Sequence, residues 1–172
     1  MTRVGHLAAR FAGSLRARPL DRADLAFVRQ YLRLEELDCW ERLGPADRAE
    51  SLMTARTTLG VLGPDGDPIW IAAALLHDVG KADSGLRSGG RALATLTAGL
   101  VGHGRARAWT NAVGRYVNHD ELGAQRLRQA GARAEAVAWA AAHHRRPRWP
   151  ATGIPPEICE ILAAADGEPL QR

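Results

Sequence analysis

Apolar positions recur at helical spacing along almost the whole chain, and the pattern predicts an all-α protein, a compact bundle of about six to eight helices. From Asp21 to about Arg42, Leu25, Val28, Leu32, Leu34 and Leu37 fall at roughly helical intervals, with Asp21 placed to cap the first turn. Pro45 and Asp47 open a second helix that carries Glu50 and Leu52 and ends near Gly60. The turn residues Gly63-Pro64-Asp65-Gly66-Asp67-Pro68 lead into a central helix. Further helices are predicted from about Gly90 to Val101, Arg105 to Asn118, Glu121 to Ala130, Arg133 to His144 and Pro155 to Asp166. Ser84 to Gly90, Gly102 to Gly104 and Pro147 to Gly153 read as loops. β-Branched residues are sparse and do not alternate, so strands are not expected.

The central helix carries the most informative chemistry. Ile69 to Leu76 is apolar on every side, which places it in the core, and it ends in His77-Asp78-Val79-Gly80-Lys81. A histidine and an aspartate at a buried helix end are costly unless something pairs with them, and a divalent cation serves both. Imidazole with carboxylate suits Fe, Mn, Zn or Ni, whereas carboxylate with water suits Mg or Mn. Gly80 is able to end the helix at positive φ, after which Lys81 projects into the same pocket.

His119, the pair His143-His144 and Asp166 each close an apolar helical stretch, so four of the six histidines occupy matching places. Taken singly, a histidine at a helix C-terminus is favoured by the dipole, and Asp166 before Gly167 is an ordinary turn. Taken jointly, such ends converge in an antiparallel bundle, which is how bundles assemble metal centres from residues distant in sequence.

The order His-Asp, His, His-His, Asp, with Gly-Lys after the first pair, resembles the HD-domain superfamily of metal-dependent phosphohydrolases over roughly Pro45 to Gly167. Ala72 to Lys81 is similar to that family's central helix, His119-Asp120-Glu121-Leu122-Gly123-Ala124 to its next histidine segment, and Ala163-Ala164-Ala165-Asp166 to its last aspartate helix. The likeness is nearest to small stand-alone bacterial HD proteins. His143-His144 is also similar to the binuclear cyclic-dinucleotide phosphodiesterase branch, whose signature residues are not evident here.

The resemblance implies one or two divalent ions (Mn, Fe, Mg or Ni) and a water activated by them that attacks phosphorus in line. It places one ion on His77, Asp78 and Asp166, with Glu50 as a further ligand, and a second on His119, His143 and His144, with Asp78 shared as the catalytic carboxylate. Lys81, Arg145 and Arg146 are then candidates to meet phosphate oxygens. The implied substrate is a nucleotide or a related small phosphorylated metabolite. One position departs from the family pattern: the family's first histidine falls where Ala49-Glu50-Ser51-Leu52 stands. Three readings follow, a site retuned toward Mn or Mg, a weakened first metal position with Glu50 solvated, and a catalytically silent module that binds a nucleotide or a metal.

Charge and composition refine this picture. Arg3, Arg10, Arg16 and Arg18 lie in the first twenty residues without an acid, and this arm accounts for the whole formal charge of +4. Residues 1–20 therefore read as a basic arm and 21–172 as one helical domain. The electrically balanced body argues against a large nucleic-acid footprint. Lys81 is the sole lysine among 23 basic residues, which suggests that a compact, flexible ammonium is needed there. With 46% hydrophobic residues the chain can bury a proper core. Cys39 and Cys159 form no CxxC, no apolar run is long enough to span a bilayer, and no secretory signal is evident, so a soluble cytoplasmic protein is expected. The tryptophans read as packing residues.

Overall fold

The computed structural model describes residues 19–86 and 88–167, and among them there is helix and no strand. The expected basic arm falls, as far as Arg18, outside the described residues. In chain order the helices are α1 (Arg22–Tyr31), α2 (Leu34–Glu41), α3 (Pro45–Leu62), α4 (Pro68–Leu76), α5 (Ser88–Val101), α6 (His103–Arg107), α7 (Ala112–Val117), α8 (His119–Ala130), α9 (Ala134–Ala142) and α10 (Pro156–Ala165). Two 3-10 helices, η1 (Val79–Ser84) and η2 (Arg146–Ala151), follow α4 and α9. Eight of the helices have seven or more residues, as the apolar pattern predicts.

The bundle is built around α4. Asp67 caps it by accepting the Ile69 amide at 2.9 Å, and Pro68 starts it without a wasted amide. Ile71 to Leu76 are all without solvent exposure, because α3 and α9 pack on this helix together with α1, α2 and α10. Ala72, Ala73 and Ala74 let those neighbours come close on several sides. Trp40, Trp139 and Trp149 fill the surrounding core. The Trp40 Nε1–H donates to Ser51 Oγ at 2.8 Å and the Trp149 Nε1–H to the Ala142 carbonyl at 3.0 Å, so the buried indoles are satisfied.

The helix expected from Asp21 to Arg42 is two helices. Asp21 caps the first as predicted, exchanging side-chain and backbone bonds with Asp24. The chain then turns extended at Leu32 and restarts after Arg33, whose amide donates to Glu36 at 3.0 Å. Glu36 is fully buried and is met by Arg133, which donates from its backbone amide at 3.0 Å and from Nε at 2.9 Å. This buried pair fixes the break. The helix expected from Arg105 to Asn118 is likewise two, interrupted before Asn111, which caps α7 by accepting the Gly114 amide at 3.0 Å. The expected loop at Pro147 to Gly153 is largely η2, closed by the Thr152 amide on the Trp149 carbonyl.

Removing one member of a buried pair strands the other, at a cost of about 3–5 kcal/mol. Glu36→Ala should lower the unfolding free energy by about that amount in a urea titration, and adding Arg133→Met should recover most of it. A wild-type urea midpoint for the single variant would mean that this pair does not hold the α1–α2 junction.

Candidate metal centre

Three histidines are oriented by one local device. His77 follows the last turn of α4 and its Nδ1 meets the Ala74 carbonyl at 2.8 Å; His143 repeats this after α9 with Ala140 at 2.9 Å, and His119, the first residue of α8, does so with Tyr116 of α7 at 2.7 Å. In the last turn of a helix, carbonyls run out of onward amides, so each imidazole also serves the helix end. A carbonyl only accepts, so the proton sits on Nδ1 and the lone pair on Nε2.

Those three lone pairs converge on Asp78. Its Oδ1 lies 3.1 Å from His119 Nε2 and 3.6 Å from His143 Nε2, while its Oδ2 lies 3.2 Å from His77 Nε2 and beside Lys81 Nζ. His77 Nε2 is also 3.3 Å from Asp166 Oδ1, carried by the end of α10. His77 Nε2, His119 Nε2, His143 Nε2 and Asp78 Oδ1 are buried without a hydrogen-bond partner. Acceptor therefore faces acceptor, an arrangement that calls for a cation or an extra proton between them. Two groups of possible ligand atoms result, His77, Asp78 and Asp166 in one and Asp78, His119, His143 and His144 in the other, each within 4.8 Å. Asp78 belongs to both, and its two oxygens face different groups. His144 alone of these residues is exposed, its ring centroid 3.9 Å from that of His143.

The electrostatics agree with a site that awaits positive charge. Burial opposes an imidazolium at His77, yet Asp78 and Asp166 outweigh it and hold its pKa well above the ordinary range. Burial would also raise the Asp78 carboxyl, but Lys81 and His77 keep it well below the usual carboxylate range. At His143 burial wins, helped by the neighbouring His77 and His119 charges, and the pKa is depressed. Burial disfavours the Lys81 ammonium, but Asp78 and Glu50 more than compensate and raise its pKa.

The other sequence candidates sit further out. Glu50, on α3, lies with Oε2 3.5 Å from Lys81 Nζ and is in neither group of ligand atoms. Arg145 donates to Asp120 Oδ2 at 2.6 Å and pairs with Glu121 at 3.0 Å. Arg146 pairs with Glu160 and stacks 4.4 Å from the Trp149 ring centroid. Gly80 does not have the positive φ expected of it. A Cβ there would lie 1.9 Å from the His119 carbonyl oxygen and 2.6 Å from the Gly123 nitrogen, so the glycine permits backbone contact between η1 and α8. That contact sets Asp78 and Lys81 against His119.

A second set of residues was not anticipated. Arg107 Nη2 donates to Asp120 at 2.7 Å and Nη1 to Asn118 at 2.9 Å, while Asn118 Nδ2 returns a bond to the Arg107 carbonyl at 2.8 Å. His119 lies between the two clamped residues, and Arg145 ties Asp120 to the segment that follows His143-His144. Only Asp120 stood inside a recognisable motif; Arg107 carries no local signal.

These features define an all-helical protein with a buried histidine and aspartate cluster at the convergence of helix ends. A model of the HD domain matches residues 49–168, and the chain belongs to that family, whose members are typically metal-dependent phosphohydrolases. No curated protein and no solved structure matches the chain. The matched region includes Glu50 and every member of the two ligand groups.

Asp120 gives a pH prediction. Burial would raise its carboxyl, but Arg107, the Glu121 amide and Arg145 bring the pKa down to about 2. A folded pKa below the unfolded value of about 3.9 adds stability that is complete at neutral pH and drains as pH falls through the interval from about 4 to about 2. The contribution is about 2 kcal/mol, and Asp120→Asn should flatten that limb of the urea stability profile.

Proposed function

We propose that the protein is a metal-dependent phosphohydrolase that cleaves a phosphoester of a nucleotide or a related small phosphorylated metabolite. The observation that carries this reading is the convergence of three imidazole Nε2 atoms on one buried carboxylate. The donor set of imidazoles and carboxylates fits Mn, Fe or Ni better than an all-oxygen Mg site. His77, Asp78 and Asp166 would hold one ion and His119, His143 and His144 a second, with Asp78 common to both. A bound ion supplies an acidified water and polarisation of the phosphoryl oxygens.

The chain's own residues do the positioning. The Ala74, Tyr116 and Ala140 carbonyls keep the imidazoles in the Nδ1–H tautomer, so that their Nε2 atoms remain ligands. Lys81 keeps Asp78 ionised and stands where its ammonium can offset charge on phosphoryl oxygens. Arg145 and Arg146 hold carboxylates already, so either would exchange an acid for phosphate in binding substrate.

A test is metal analysis of the purified protein followed by hydrolysis assays on bis-p-nitrophenyl phosphate, nucleotides and cyclic dinucleotides with Mn, Fe, Mg or Ni added. Asp78→Ala should lose both bound metal and hydrolysis, because its two oxygens serve both groups. Full metal content in that variant would refute the shared role, and metal binding without turnover in the wild-type protein would favour the second reading.

That second reading, a module that binds metal or nucleotide and reports it, is favoured by the placement of Glu50 on Lys81. Glu50→Ala separates two roles. Loss of a ligand weakens metal affinity by something like 10- to 100-fold, whereas loss of a partner for Lys81 leaves metal content intact and lowers turnover. The 3.5 Å contact with Lys81 leads us to expect the second outcome.

A further inference from the structure

Helix α5 is packed inside out. Ala94 and Ala98 are buried, while Leu93, Leu96 and Leu100 are exposed at 65%, 66% and 89%. At about 100° per residue the three leucines fall within about 60° of one another, on the side away from the two alanines. Three of the six large hydrophobic residues that stand exposed among the described residues are on this one face. The main packing partners of α5 are α6 and α7, so the helix lies at the rim of the molecule. A leucine outside with an alanine inside is the reverse of what burial favours, and a contiguous exposed apolar stripe marks a contact surface.

The surrounding charge indicates what covers the stripe. Between Asp83 and Asp120 the chain has no acidic residue and five arginines, Arg87, Arg91, Arg105, Arg107 and Arg115. Arg107 is neutralised by Asp120. Arg105 and Arg115 stand exposed on α6 and α7, the two helices that α5 packs against. An aliphatic stripe bordered by helices that carry exposed arginines and no acid is the composition of a surface that lies on an anionic bilayer. A second copy of the chain fits poorly, because a two-fold contact through this face would set the same arginine-rich segments against each other. An acidic protein partner would be expected to meet aromatic anchors, and the large hydrophobic side chains shown exposed on α5 are all leucine.

We propose that the Leu93, Leu96 and Leu100 face of α5 docks the protein peripherally on anionic phospholipid, with the exposed Arg105 and Arg115 of the neighbouring helices at the level of the headgroups. This inference does not depend on the hydrolase reading. It is compatible with the absence, among the described residues, of any helix long and apolar enough to cross a membrane. α7, on which α5 packs, also touches η1 and α8, so docking would hold Lys81 and His119 at a fixed height over the lipid surface.

The test is co-sedimentation of the full chain with vesicles of phosphatidylcholine alone and of phosphatidylcholine with about one third phosphatidylglycerol. The chain should bind the anionic vesicles only, and binding should fall as salt shortens the range of the attraction. Leu93→Ser, Leu96→Ser and Leu100→Ser combined should lower the partition coefficient at least about tenfold, with an unchanged thermal midpoint. Should the triple variant misfold, Leu100→Ser alone, at the most exposed of the three positions, replaces it. Serine at Arg3, Arg10, Arg16 and Arg18 together controls for the basic arm and should leave most of the binding. The proposal is overturned by equal binding of the leucine variant, by complete loss in the arm variant, or by no binding to anionic vesicles. In the last case, a dimer in sedimentation velocity that the leucine variant dissolves would assign the stripe to a second copy.

Discussion

The site depends on keeping one carboxylate ionised in the core. Asp78 is nearly without solvent, and a buried carboxylate costs several kcal/mol unless its surroundings replace water. Lys81 supplies one full charge. The three imidazoles do not supply another in the tautomer that their backbone carbonyls impose, since each presents a lone pair rather than a proton. Left to itself the cluster draws a proton onto His77, the ring between two carboxylates. The same donor atoms form the two groups that could hold a metal ion.

Four helix ends must meet for this to happen, and the sequence makes that possible with small residues. α4, α9 and α10 all finish in runs of alanine or alanine and leucine, which lets their ends approach without bulky side chains between them. At η1 and α8 even a methyl group is too large, and Gly80 lies against the His119 carbonyl and the Gly123 amide. Arg107 and Arg145 then fasten Asp120 from two directions, so the start of α8 cannot shift without breaking buried ion pairs. The rigidity of the site therefore comes from backbone contact and buried charge together.

What the sequence made legible was local. His77, His119, His143 and Asp166 each close an apolar helical run, and a helix end is visible in a single stretch of chain. Their convergence is a property of the bundle that the family resemblance supplied. Features that depend on a distant partner were not legible: the break at Leu32 rests on Arg133, and the acids that hold Arg145 and Arg146 lie well away from them in sequence. Gly80 looked like a helix-ending glycine because the sequence carries no sign of how closely another backbone will pass. Periodicity also predicted α5 as a helix but could not say that its alanines, not its leucines, turn inward.

Glu50 and the sole lysine are best understood as one charge problem. An imidazole in the place of Glu50 would be neutral, whereas the carboxylate adds a negative charge to a cluster that already contains Asp78 and Asp166. Lys81 is the cation within reach of two of those carboxylates, 3.5 Å from Glu50 and in contact with Asp78. A guanidinium is larger and planar, so arginine, used at every other basic position, is not equivalent to the compact ammonium in the buried turn of η1. Asp78 and Asp166 are the buried carboxylates, and a divalent ion, like the proton that His77 otherwise takes up, offsets the negative charge that Lys81 leaves. The Glu50 carboxylate lies outside both groups of converging donor atoms and meets the site through Lys81.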